Sequence, residues 1–417
     1  MMFLLRSMQR RHDLIAMILL LGLVTSSTAC ADLRVTSDFE GGNAEVVRIE
    51  QQSLTVRIMP AIREGRGWPC WWSLQLDGVE IGQTVTLEVQ AQTAPYAPGK
   101  RLANSWSQPK HAAISTDNVH WKPSAKGTVT EDKVAVYKIP MTASSVWVAW
   151  GPPFTPRHAE ALVTDLAARV PGAHKFELAR TREDRPVWGL RLGAVDAPRQ
   201  VWVNARQHAW EAGGSWVGRG LMEWLVSDAE AAQRFRDTTC LHFIPIMDVD
   251  NVAIGAGGKD ALPRDHNRDW AEVPVYPEIR AAQRMIADIE QRHGLDVYID
   301  LHNPGHDDPI FFFGPFDYDK LTGAPQKNYA RWLELAIERM KKPLAISPKY
   351  RFATYVTNPE ERSRMSSGWV REHISEHGLS VTLETAWNSP IITQDSYQLI
   401  GQQLGQTLAA YLAEQAR

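Results

Sequence analysis

The chain is poor in cysteine: Cys30, Cys70 and Cys240 are all it has in 417 residues. No CxxC pair occurs, which excludes a cysteine-built zinc site and a thioredoxin-type redox motif. Cys70 and Cys240 are too far apart in sequence to define a disulfide framework, so two buried thiols are expected. Long apolar runs are missing as well. Leu14–Val24 falls short of the ~20 residues that span a bilayer, and no later segment approaches it. Nor is there an excess of positive charge. The 45 Lys and Arg against 48 Asp and Glu leave a net charge of −3, and without a basic stripe nucleic acid is not an expected partner. There is no internal repeat and no low-complexity tract.

What is present begins with a leader. Arg6, Arg10 and Arg11 precede LIAMILLLGLV, and the small residues of TSSTACA follow. Basic, apolar and small segments in this order form a secretory signal, so residues 1–30 are expected to direct export to the periplasm of a bacterial envelope. Cys30 follows Ser-Thr-Ala, which resembles a lipoprotein cleavage box without its usual aliphatic residue. Lipidation of Cys30 and simple cleavage both stay open, and the lipid anchor is the only membrane attachment foreseen.

An apolar content of 44% and a charged content of 22% are ordinary for a folded soluble protein. Residues 33–152 carry short alternating segments (SLTVRIMP, TVTLEVQAQ, KVAVYKIPM, SVWVAWG) separated by Gly, Pro, Asp and Asn. They predict a small antiparallel β-sandwich. The prolines of GPPFTPR end it. Over 153–417 helical periodicity alternates with strands, as in HAEALVTDLAARV, QVWVNAR, CLHFIPIMDVD and LDVYIDLH. This is the pattern of an α/β domain with a mostly parallel sheet flanked by helices. Such sheets bind ligands beyond the carboxyl ends of their strands. His208, Asp248, His302 and Glu384 all fall at or just past predicted strand ends, so they are expected to converge on one crevice.

HxxE occurs three times: His174 with Glu177, His208 with Glu211, and His373 with Glu376. In AHKFELA the pair straddles one predicted strand and points to opposite faces. In WVREHISEHG it lies on a predicted helix, where a solvated polar face suffices. His208 differs, because it comes at a strand exit and leads through Gly213-Gly214 into a helix. A catalytic zinc takes three protein ligands, His₂Glu among the known sets, and keeps one position for water. His302 in YIDLHNPGHDD offers the third ligand, with His306 in the following loop as a rival. Glu384 lies on the otherwise apolar strand SVTLETAWN, where an unpaired carboxylate is costly unless a metal is near. DHNRDW groups Asp265, Asn267 and Arg268, and Arg with Asn can hold a carboxylate through several hydrogen bonds. Each residue alone also has a bland reading: a strand-capping histidine, an edge-strand glutamate, a surface ion pair.

Together, VWVNARQHAWEAGGSW, PIMDVDNV, DHNRDW, PEIRA, YIDLHNPG and VTLETAWN resemble the successive motifs of M14-type zinc carboxypeptidases, in particular the cytosolic-carboxypeptidase-like branch. DFEGGNAEVV and WGPPFTP are similar to parts of the N-terminal domain of that branch, so the resemblance spans nearly the whole mature chain. It implies one zinc ion held by His208, Glu211 and His302, with Glu384 as general base. It further implies that Asn267 and Arg268 receive the terminal carboxylate of a peptide substrate, and that Asp265 orients His208. Two departures stand out. The loop IGAGGKDALPR lacks the arginine that members usually place there to polarise the scissile carbonyl, leaving Lys259 or Arg264, with Lys259 as the expected catalytic cation. ERSRMSSG lacks the tyrosine common before this turn, and Tyr355 lies further upstream. Lys349, Arg351, Arg362 and Arg364 fall between the last two motifs; any of them in the pocket would favour an acidic C-terminal residue. Two other functions stay open: a zinc amidase or deacylase acting on murein peptides or N-acyl amino acids, and a non-catalytic peptide-binding exported lipoprotein.

Overall fold

The computed structural model describes residues 32–389 and 393–415; the leader and Cys30 lie outside them. Two five-stranded sheets form the N-terminal domain. One orders its strands Arg34–Thr36, Ser73–Asp77, Ser145–Ala149, Ala113–Ser115 and Lys122–Pro123. The other orders Glu45–Glu50, Thr55–Met59, Thr84–Gln90, Val134–Pro140 and Thr128–Val129. Alternation decides which side chains meet. Val85, Leu87 and Val89 turn inward and pair in register with Ile139, Tyr137 and Ala135. The expected antiparallel sandwich is present, with one parallel pair, Thr55–Met59 beside Thr84–Gln90.

The second domain is built on a seven-stranded sheet ordered Ala173–Arg180, Pro186–Leu192, Thr239–Ile244, Arg199–Ala205, Val297–Gly305, Leu379–Ala386 and Phe311–Phe313. The four strands from Thr239–Ile244 to Leu379–Ala386 run parallel, and antiparallel strands finish both edges. Helices cover both faces of the parallel centre, so its strands do not alternate: every residue of Leu379–Ala386 is buried. Helices Ala212–Leu225 and Gln394–Glu414 pack together over one face.

Five of the sixteen tryptophans gather where the domains meet. Trp68, Trp106 and Trp150 of the first domain touch Trp210 and Trp387 of the second, with Trp150 and Trp387 centroids 4.5 Å apart. Aromatic pairs of this kind add about 0.5–1.5 kcal/mol each beyond their burial. Cys70 and Cys240 are both free and buried, as expected. No helix among the described residues is long and apolar enough to cross a membrane.

Candidate metal centre and its cavity

The strand Arg199–Ala205 exits through Arg206, whose φ of 62° turns the chain sharply. The buried Arg206 guanidinium donates to Ala209 O and Phe154 O, both at 3.0 Å, and closes this corner. His208 and Glu211 therefore project from a turn, closed by Glu211 N–H donating to His208 O at 3.2 Å. Helix Ala212–Leu225 starts immediately after and presses against the strand Val297–Gly305. A Cβ on Gly214 would lie 2.6 Å from Leu301 O, so only glycine permits this approach. The approach brings Glu211 to His302.

His208 Nδ1 lies 2.8 Å from Glu211 Oε1, and His302 Nδ1 lies 2.8 Å from Glu211 Oε2. Asn303 N–H also donates to Oε2, at 3.1 Å. One donor atom from each of the three side chains lies within 4.8 Å of the other two, and all three residues are buried. Burial pushes the Glu211 carboxyl up, but the adjacent His208 and His302 outweigh it and hold the group well below the usual carboxylate range. The outer ring nitrogens face further carboxylates. His302 Nε2 lies 3.0 Å from Asp300 Oδ2, and His208 Nε2 lies 3.6 Å from Asp265 Oδ1. Asp300 is itself held by Asn204 Nδ2 at 2.7 Å and by the Ser366 hydroxyl. Rings that turn one nitrogen inward and the other toward a carboxylate are oriented as metal-binding histidines are. The donor set of two imidazoles and one carboxylate fits zinc.

Glu384 stands beside His302 in the parallel register of their strands. It is buried, and its Oε2 has no hydrogen-bond partner among the described residues. Burial, joined by the charges of Glu211 and Asp300, pushes this carboxyl up to about 8, against the opposing pull of His302 and Lys259. These groups open on a cavity of about 730 Å³.

The other expected site residues line the same cavity in different ways. Arg268 donates to Asn267 O at 2.8 Å and otherwise borders the open space. Asn267 is more committed: its Oδ1 accepts Ser366 N–H at 2.9 Å, and its Nδ2 lies 3.3 Å from His302 Nε2. Lys259 Nζ comes within 3.4 Å of His208 Nε2 and 4.0 Å of Asp265 Oδ2. Arg264 reaches the wall, but Asp269 pairs with it at 3.2 Å. Tyr355, too far upstream to match the family's tyrosine in sequence, lines the cavity while remaining largely exposed to solvent. Of Lys349, Arg351, Arg362 and Arg364, only Arg364 lines the cavity; Arg351 pairs with Asp308 and Arg362 donates to Val356 O.

Asp248 does not join the crevice, contrary to expectation. Fully buried, it caps the helix Val249–Ala253 and accepts from Asn251 Nδ2 at 2.9 Å. A short polar side chain at a strand exit caps the helix that follows as readily as it lines a site. His306 is turned to Asn388 and Asp307, apart from the three-residue cluster. The other two HxxE pairs are also elsewhere: His174 and Glu177 on an exposed edge strand, His373 stacked on Trp369. Asp300, Ser366 and Asn303 escaped the sequence reasoning. Asp300 alone had a visible mark, two residues before His302 on the same strand and so on the same face.

With this geometry in hand, comparison with known proteins gives the class. Residues 159–389, more than half of the chain, match the zinc carboxypeptidase family. The chain belongs to that family, and residues 35–150 match the cytosolic carboxypeptidase N-terminal domain. Cytosolic carboxypeptidase 2 of Danio rerio is 31% identical over 125 residues, 30% of this chain but 17% of that protein's length. Among solved structures, a metallo-carboxypeptidase from Burkholderia cenocepacia has a similar fold (TM-score 0.75, 22% identity, 92% of this chain and 99% of that one). So does a metallo-carboxypeptidase from Pseudomonas aeruginosa, solved with (2-guanidinoethylmercapto)succinic acid (TM-score 0.74, 21% identity, 91% and 99%).

Proposed function

We propose that this chain is an exported zinc metallocarboxypeptidase that hydrolyses the C-terminal peptide bond of peptides bearing a free carboxylate. The observation that carries the reading is the buried His208–Glu211–His302 cluster with the unpartnered Glu384 oxygen beside it in one cavity. His208, Glu211 and His302 hold the zinc; when bound, it supplies Lewis acidity, acidifying water and polarising a carbonyl. Asp300 and Asp265 fix the two imidazoles from behind.

Glu384 takes the proton of the attacking water and returns it to the leaving amine. Its place in the cavity wall beside His302, with one oxygen unpartnered among the described residues, supports this role. Lys259 meets negative charge developing on the carbonyl oxygen from its place beside His208. Arg268 receives the terminal carboxylate, aided by the Asn267 amide nitrogen, and this restricts cleavage to the chain end. The leader at 1–30 supports export, with Cys30 as the point of any lipid anchor.

The test is a panel of peptides differing only in the last residue, assayed with and without a chelator. Release of single C-terminal residues, abolished by the chelator and restored by zinc, is expected. Turnover confined to murein peptides or N-acyl amino acids would replace the peptide substrate. Zinc binding without turnover of any of these would leave a binding protein.

A further inference from the structure

Lys259 is held at the metal centre by contacts from both domains: within its own, Asp260 N–H donates to Asp265 Oδ2 at 3.3 Å. Lys259 occupies the middle of a turn, Gly258–Ala261, closed by Ala261 N–H donating to Gly258 O at 3.1 Å. Three backbone hydrogen bonds tie this turn and its exit to the N-terminal domain. Gly258 N–H donates to Arg66 O at 2.9 Å, Trp68 N–H to Lys259 O at 3.0 Å, and Leu262 N–H to Gly65 O at 2.8 Å. The two segments are so close that a Cβ on Gly67 would lie 2.2 Å from Lys259 O.

The side chain of Asp260 completes the attachment. Its Oδ2 accepts from Tyr96 OH at 3.0 Å, from Trp68 Nε1 at 3.3 Å and from Lys100 Nζ at 3.4 Å, all three in the N-terminal domain. Asp260 also has a φ of 58°, a left-handed conformation that aspartate adopts more readily than most residues and that suits the middle of a turn. Trp210 N–H donates to Gly257 O at 3.1 Å, so the loop is tied on its other side to the turn that bears His208 and Glu211.

We infer that Asp260 is a positioning residue through which the N-terminal domain, by way of Trp68, Tyr96 and Lys100, holds Lys259 at the metal centre. The N-terminal domain is then part of the catalytic apparatus and not only a neighbour of it. The inference rests on the proposed role of Lys259 for its effect on turnover, but its structural content is independent of that role.

The experiment uses the zinc-loaded full chain and two readouts. In the first, an amine-reactive ester labels lysines, and mass spectrometry follows Lys259 with exposed Lys138 as the internal reference. Asp260→Ala is expected to raise the relative labelling rate of Lys259 about fivefold, through local loosening of the turn. Asp260→Asn, which still accepts from Trp68 and Tyr96, is expected to stay near the starting value. Tyr96→Phe, which removes one hydrogen bond, reports in place of Asp260→Ala if that variant does not fold. In the second readout, Asp260→Ala is expected to lower kcat about tenfold with KM and zinc content unchanged. The same substitution in a Lys259→Met background is expected to cost less than about twofold more, because the two changes share one mechanism. Unchanged labelling of Lys259, or equal and additive losses in the two backgrounds, overturns the inference. If the starting protein releases no C-terminal residue, the proposed function fails while the labelling readout still decides the positioning role.

Discussion

The ring of His302 bridges two buried carboxylates: its Nδ1 lies 2.8 Å from Glu211 and its Nε2 3.0 Å from Asp300. One side of the imidazole thus joins the donor cluster, and the other is anchored by a group that does not line the cavity. The anchor is well held, by Asn204 and Ser366. Asp300→Asn is expected to weaken zinc binding by roughly 10–100-fold, the usual effect of removing such a partner. Competition with a chromogenic chelator measures it, and an affinity within twofold of the original would contradict the assignment.

Close approach of helix Ala212–Leu225 to the His302 strand makes a separate prediction. Gly214→Ala places a methyl group 2.6 Å from Leu301 O, a backbone atom that cannot move aside cheaply. Overpacking of this sort costs about 1–3 kcal/mol. The melting temperature should fall and zinc affinity with it, since Glu211 precedes the displaced helix.

Arg268 is expected to act in binding more than in chemistry. Arg268→Ala should raise KM for a C-terminal peptide roughly 10–100-fold through loss of charge-assisted hydrogen bonds, with kcat changed far less. Steady-state kinetics on one dipeptide series decides this. Equal losses in kcat and in kcat/KM would place the guanidinium in the transition state instead.

Acid stability should carry a contribution from a histidine far from the metal centre. His242 is buried on the strand Thr239–Ile244 against Trp202; burial, and then the charge of Arg191, lower its pKa from 6.5 to about 4. Between those values the unfolded chain binds a proton that the folded one refuses. The contribution is therefore complete above pH 6.5 and lost as pH falls toward 4, up to about 3 kcal/mol. Urea unfolding of His242→Leu should show a shallower loss of stability over that window. Parallel pH curves for the two proteins would rule the contribution out.

Much of this site was legible because the decisive residues carry local marks. His208 follows a β-branched strand and precedes two glycines, and His302 and Glu384 interrupt apolar strands where a polar group needs a reason. The alternation of strands and helices likewise foretold the parallel sheet centre and the end of it at which the groups meet. What stayed hidden depends on tertiary contact. Ser366 reaches Asp300 from 66 residues away, and Tyr96 reaches Asp260 from 164. No period or motif marks such pairs. Short edge elements such as Lys122–Pro123 and Phe311–Phe313 were missed because two or three residues carry no periodicity. Asp248 was misplaced for another reason: the strand ends at Ile244, before Asp248, and Asp248 caps the helix that follows instead of lining the crevice.

The central claim is that Glu384 is the base of a zinc-dependent hydrolysis, and Glu384→Gln tests it most directly when zinc content and turnover are measured on one preparation. The substitution keeps the shape of the side chain and leaves His208, Glu211 and His302 intact. The account predicts stoichiometric zinc in both proteins and a kcat lowered by about 10²–10⁴-fold in the variant. A variant that keeps its zinc and its full rate would contradict it.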